Sequence, residues 1–339
     1  MATGRRRVLA RIGWTITTVL ILILAFAAYA NRQQISDRIT AAGFDAPPAI
    51  TALADRLNLT DAGSIVFFAT QPTLESSQHF NDQCSRVDHV DGGHVLGCFS
   101  DGNIHLFEVT DERLDGIVEV TAAHELLHAV HARMGESERQ EFDRRLEREY
   151  EVLAQNDPAL EARMQVYEGL SRSGFANELH SVLGTEVAEL PDWLEEHYAR
   201  WFEDRSQIVG LFNDYHGLFV ALQQEADALT AELEAIRADV EQRNAAYSAA
   251  VDAFNADARE FKRRNENFEF SSNVDEFNRI MNDLEQRRVA LDAELAAIQA
   301  EVAKFDEKRA RLEEIGQTSA DLDQQIDSGL APPGDRAEE

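Results

Sequence analysis

The last third of the chain constrains the fold most. Ala226, Leu233, Val240, Tyr247, Phe254 and Phe261 recur every seven residues, with Leu222, Leu229 and Ile236 in the interleaved register. After the break NENFEFSSNVDE, a second series runs Phe277, Leu284, Leu291, Ile298, Phe305 and Leu312, with Met281, Leu295 and Val302 between. A seven-residue apolar repeat keeps one seam of a helix facing a partner helix. Two such series around one short break therefore predict two long helices folded into an antiparallel coiled-coil hairpin. Arms of about 45 residues reach on the order of 65 Å at 1.5 Å per residue. A parallel coiled-coil dimer competes, but matched arms beside a single break pair with each other at lower cost.

At the other end, RRRVLAR precedes Ile12 to Asn31, 20 consecutive uncharged residues bracketed by Arg11 and Arg32. A run of that length spans a hydrocarbon core of roughly 30 Å. Arg5, Arg6, Arg7 and Arg11 on the near side keep the N-terminus in the cytoplasm and send the rest of the chain across. The expectation is a single-pass cell-membrane protein with an extracytoplasmic C-terminal domain. The alternative is secretion after cleavage near Ala30, because AYA (Ala28 to Ala30) has the form of a signal-peptidase site.

Two features agree with export and limit the partners. Lys and Arg total 32 against 62 Asp and Glu, a formal charge of −30, which repels phosphate backbones and argues against nucleic-acid binding. The same charge argues against a broad electrostatic grip on anionic lipid. The only cysteines, Cys84 and Cys98, lack CxxC spacing for zinc. In an oxidising compartment they are expected to pair and staple a hairpin or loop around the turn Asp91-Gly92-Gly93. Two buried free thiols are the alternative.

Between these ends the pattern changes type. SIVFFAT (Ser64 to Thr70) reads as a buried strand, and HVLGCFS and NIHLFEV as two more, separated by the turn Ser100 to Asn103. From Val118 onward the pattern is helical, over 118–134, 137–155, 158–169, 175–189 and 192–215, with breaks at Gly135, Asn156 to Pro158, Gly169 to Gly174 and Pro191. The expected fold class is α+β. A small mixed or antiparallel sheet with helices would be followed by the coiled-coil hairpin and preceded by a transmembrane helix. The expected boundaries are a basic segment 1–11, an anchor 12–31, a spacer 32–60, an α+β domain 61–215, the hairpin 216–318 and a disordered tail 319–339.

Residues 124–128 read HELLH. On a helix, positions i and i+4 share a face, so His124 and His128 can present imidazole nitrogens to one ion. Glu125, about 100° around the helix, reaches a water beside that ion without ligating it, which is where a general base must stand. The apolar flanks Val120, Leu126, Leu127 and Val130 seat the helix in a core. His131 is seven residues from His124, roughly 10.5 Å of axial rise. Two imidazoles that far apart on one rigid helix would stretch in opposite directions to share an ion, so His131 reads as a polar residue at the helix end.

A catalytic zinc needs a third protein ligand and an open position. The candidates lie about fifty residues downstream in SGFANELHSVLGTE, where Glu178 leads, with His180 and Glu186 as competitors. Two histidines and a carboxylate make Zn2+ the natural metal, although other divalent ions take the same donors. The remaining histidines His79, His89, His94 and His105 read as loop or strand residues. Trp193, Tyr198 and Trp201 read as core, with a substrate wall as the sharper alternative.

HELLH followed by NExxS resembles the gluzincin zinc metallopeptidases, over roughly residues 64–200. The resemblance implies His124, His128 and Glu178 as zinc ligands and Glu125 as the catalytic base that polarises the attacking water. The domain 61–215 would then be a zincin-like metallopeptidase cleaving peptide or protein substrates. Members often carry an acidic residue just after NExxS, bonded to a ligand histidine. Here Val182 stands in its place and Glu186 is the substitute. A Tyr or His usually stabilises the oxyanion, for which His180, His197 and Tyr198 are available. The strand NIHLFEV resembles the family's edge strand, which holds extended peptides.

The rival reading is a non-catalytic membrane-anchored coiled-coil scaffold or binding protein with a vestigial metal site. A third is a cation-sequestering or sensing domain. The coiled coil could serve as a docking arm for a protein partner, a spacer or a lid.

Overall fold

The computed structural model describes Trp14, residues 20–85 and residues 94–329. The chain forms two units, one of residues 1–217 with 323–339 and the other Leu218–Leu322. It is mostly helical, with one small sheet and two long C-terminal helices.

The first unit is built around α5 (Ile117–Arg133). Its Val120, Ala122, Ala123, Leu126, Leu127, Ala129 and Val130 are all buried, covering every side of the helix. A helix apolar all round requires neighbours on all sides. They are the sheet, α3 (Asp61–Ala69) and α8 (Arg172–Thr185). α8 crosses closely because Gly184 has no side chain, and a Cβ there would run into Leu127 and Tyr198. The sheet order is β1 (Thr73–Glu75), β3 (Asn103–Phe107), β2 (Gly97–Ser100). β1 runs parallel to β3 and β2 antiparallel to it. The β2–β3 turn passes through Asp101 and Gly102, both at positive φ. Ile104 and Leu106 face the main core, whereas Phe107 and Cys98 face α4 (Ser77–Cys84). The disulfide Cys84–Cys98 joins α4 to β2 as expected, while the turn 91–93 lies outside the described residues.

Several expectations change here. Ser64 to Thr70 is not a strand but most of α3. The Thr60 hydroxyl caps that helix by accepting from the Gly63 amide at 3.0 Å, and Asp61 favours its positive end. A short apolar run has no period to separate strand from helix, so the cap decides. The true third strand, β1, is too short to carry a pattern. Its pairing makes NIHLFEV the central strand, leaving β2 at the edge. The expected spacer 32–60 holds α1 (Arg32–Gly43) besides α2 (Pro48–Leu57), the latter where the sequence reads as a weak helix around Ile50 to Leu57. α2 buries Ile50, Leu53 and Leu57, and Asp37 of α1 forms a bidentate pair with Arg133 of α5, both contacts at 3.1 Å. The expected helix 192–215 is interrupted after α9 (Asp192–Tyr198), where Leu59 bridges Phe202.

Of the expected anchor, Trp14 and residues 20–31 are described. Leu20 to Leu24, Phe26 and Tyr29 are helical and exposed. Among the described residues no helix is long and apolar enough to cross a membrane. The basic segment 1–11 lies outside them.

The second unit, Leu218–Leu322, consists of the paired arms formed by the greater parts of α10 (Arg205–Glu266) and α11 (Val274–Ile326). The heptad residues of α10 are half-buried between exposed neighbours, as are Phe277, Leu284, Leu291, Phe305 and Leu312 of α11, with Ile298 buried, the signature of a two-helix seam. Met281, Leu295 and Val302 are exposed, so the interleaved register expected for the second arm does not face that seam. Ion pairs link Arg311 to Glu225, Arg243 to Glu294 and Arg287 to Asp257. As the position on α10 rises its partner on α11 falls, so the arms are antiparallel. Phe261, Phe270 and Phe277 pack together at the bend, with centroids 5.1 to 5.7 Å apart. Residues 319–326, expected in the tail, belong to α11, which continues to Ile326. Ser328 is buried in the first unit, its hydroxyl donating to the Val95 carbonyl at 2.9 Å.

Candidate metal centre

The site forms where α5 and α8 cross beneath β2. α8 starts at the Ser171 cap, whose hydroxyl accepts from the Gly174 amide at 3.1 Å. The register that follows turns Glu178 and Ser181, one helical turn apart, toward α5. Glu178 Oε2 lies 3.4 Å from His124 Nε2 and 3.5 Å from His128 Nε2. The Ser181 hydroxyl lies 3.3 Å from Nδ1 of His128, so the opposite ring nitrogen faces Glu178. His124, Glu125 and His128 each offer a ligand atom within 4.8 Å of one another. His124, Glu125, His128, Glu178 and Ser181 are all buried.

Two carboxylates therefore approach the same histidine pair, from different sides. Glu178 approaches from α8. Glu125 lies against β2, where a Cβ on Gly97 would stand 2.9 Å from Glu125 Cγ and 2.6 Å from Thr121 Cγ2. Glycine at 97 lets the edge strand sit directly on the glutamate.

The electrostatics favour a cation. Full burial works to lower the pKa of His128, but Glu178, and after it Glu125, outweigh burial and hold the imidazole up to about 10. Glu125 Oε2 is buried with no hydrogen-bond partner among the described residues. The group could hold a metal ion. Its donor set fits one, because ligands around an ion at 2.0–2.1 Å stand roughly 3.4 Å apart in a tetrahedron, close to the two distances from Glu178.

The other sequence candidates point elsewhere. His131 lies in the last turn of α5, as expected. It is buried, with Nε2 2.7 Å from Asp143 Oδ1, and Asp143 in turn accepts from Ser173 at 3.3 Å. Glu186 pairs with Arg163 at 3.1 Å rather than with a ligand histidine. His180 Nε2 faces His197 Nε2 at 3.0 Å, and Tyr198 donates to the His180 carbonyl at 2.7 Å. Burial pushes His180 well below its ordinary pKa and, with Arg200, takes His197 down to about 4. These three residues form a buried knot with Phe142, whose ring lies 4.5 Å from that of His197, and His180 Nδ1 is buried there with no hydrogen-bond partner among the described residues. Trp193 is half-buried on the surface of this region, with Arg145 over its ring at 3.8 Å. Sequence reasoning missed Gly97 and Asp143. Neither carries a motif, since each matters only through a neighbour distant along the chain.

The chain matches no family model, no curated protein and no solved structure.

Proposed function

We propose that the chain is a zinc-dependent peptide hydrolase of gluzincin type, held at a membrane by its N-terminal apolar run and acting on the extracytoplasmic side. The observation that carries this reading is the single oxygen of Glu178 set at 3.4 and 3.5 Å from both HExxH imidazoles. His124, His128 and Glu178 would hold the metal, and Glu125 remains as base. Zinc, when bound there, supplies a Lewis acid that polarises a carbonyl and brings the pKa of water toward 7.

The chain's own residues do the rest. Glu125, buried and pressed on Gly97, takes a proton from the attacking water and returns it to the leaving amine. β2, at the edge of the sheet above Glu125, offers its outer side for main-chain pairing with an extended peptide. Ser181 holds His128 in the orientation that faces Glu178.

Membrane attachment is supported by the 20-residue uncharged run and the arginines before it. A helix of exposed apolar residues from Leu20 to Tyr29 agrees with it. The hairpin of α10 and α11 offers a long surface to a protein partner.

The test uses the full chain in detergent. Bound metal and cleavage of an unstructured peptide mixture are measured for the wild type and for His124→Ala. The proposal expects metal-dependent cleavage that disappears with His124. Metal-loaded protein that cleaves nothing would leave the chain as a binding or scaffold protein.

A further inference from the structure

The far face of the sheet carries a second group of donors. Thr73 of β1 pairs directly with His105 of β3, so their side chains share a face, and Glu75 lies two residues on from Thr73 on that face. Ile104 and Leu106 point the opposite way, into the core containing α5. The Thr73–His105 face is covered by α4, whose Phe80 packs on Phe107 with centroids 5.9 Å apart. The group is therefore separated from His124 and His128 by the sheet itself.

Glu75 Oε1 lies 3.5 Å from Nδ1 of His105 and 3.9 Å from Nε2 of His79 in α4. Thr73 Oγ1 lies 2.9 Å from the same His105 nitrogen. Glu75 is 9% exposed, and its Oε2 is buried with no hydrogen-bond partner among the described residues. A buried carboxylate with an unsatisfied oxygen is costly unless a cation or donor meets it. The His79 side chain is 68% exposed, so it can turn toward a cation without disturbing the core.

We propose that Glu75, His79 and His105 bind a second divalent transition-metal ion, of the Zn2+, Ni2+ or Co2+ class. Carboxylate with imidazole selects these ions over Mg2+ and Ca2+, which prefer oxygen alone. The His105 nitrogen stands at the roughly 3.4 Å spacing of donors around a shared ion, and the exposed His79, at 3.9 Å, closes on it by turning its side chain. The ion takes the place of Thr73 at His105 Nδ1 and leaves that hydroxyl beside the site. It ties the first turn of α4 to β1 and β3, as the disulfide Cys84–Cys98 ties the last turn of α4 to β2. The role is structural, independent of whether the first site hydrolyses peptides.

Cobalt is the probe, because Co2+ in a tetrahedral site absorbs visibly. The full chain carrying both His124→Ala and His128→Ala is titrated with Co2+. One equivalent still binds, with visible absorption, and thermal stability rises with cobalt concentration. Adding either Glu75→Gln or His79→Ala to that background weakens binding at least tenfold. If the double variant does not fold, the wild-type chain is used instead. It binds two equivalents, falling to one with Glu75→Gln or His79→Ala, and His79 is exposed enough that its loss leaves the fold intact. No cobalt bound beyond the HExxH site, or binding indifferent to both Glu75→Gln and His79→Ala, overturns the proposal.

Discussion

The Ser181 hydroxyl stands 3.3 Å from Nδ1 of His128, on the side of the ring opposite Glu178. A histidine that ligates through one nitrogen is oriented by what the other nitrogen touches, and removing such a partner costs 10- to 100-fold in metal affinity. Ser181→Ala is therefore expected to weaken zinc binding by about that factor, with the helical content unchanged. Competition titration against a chelator measures it. An unchanged affinity would mean that packing alone sets the orientation of His128.

Gly97 makes a different contribution, through contact with Glu125, the proposed base. Gly97→Ala adds a methyl 2.9 Å from Glu125 Cγ, so the glutamate must shift. Displacement of a catalytic group by about 1 Å can lower a rate on the order of 100-fold. The expected result is slower peptide hydrolysis, with kcat reduced at least about tenfold and metal content the same as the wild type. Equal loss of metal and activity would instead place the damage at the ligands.

Acid should destabilise the first unit through His197, whose pKa falls to about 4 because it is buried and sits near Arg200. An unfolded histidine takes a proton below about 6.5, whereas this one resists until about 4. The unfolded state then binds more protons, so stability is full above about 6.5 and is lost as pH falls toward 4, by about 3 kcal/mol for this group. Urea unfolding at pH 7, 6, 5 and 4 reads the slope, and His197→Gln should flatten it. An unaltered slope would assign the acid sensitivity to other groups.

The legible parts of the chain were those with long periods or fixed spacing. Heptads from Leu222 to Leu312 foretold both long helices and their antiparallel pairing, and HELLH placed His124 and His128 on one buried face. The Cys84–Cys98 pair and the β2–β3 turn were equally local signals. What escaped depends on contacts distant in sequence. The helix at 61–69 reads as a strand in the sequence because its apolar run has no period and its cap residue, Thr60, lies outside it. β1 spans only Thr73–Glu75, so the central place of NIHLFEV in the sheet was invisible. Glu75 and His105 were unremarkable as separate residues and become a group only when two strands pair in parallel. Asp37 meets Arg133 across a sequence separation of 96, which no spacing rule anticipates.

The most direct measurement of the account is peptide hydrolysis by Glu125→Gln compared with the wild type, with bound metal determined on the same samples. Glutamine keeps the shape of the side chain and removes the base. The account predicts that hydrolysis falls by at least about 100-fold, since general base catalysis contributes 10²–10⁴-fold, while the HExxH site keeps its metal. Hydrolysis that survives the substitution, or a wild-type chain whose HExxH site takes up no metal, would contradict it.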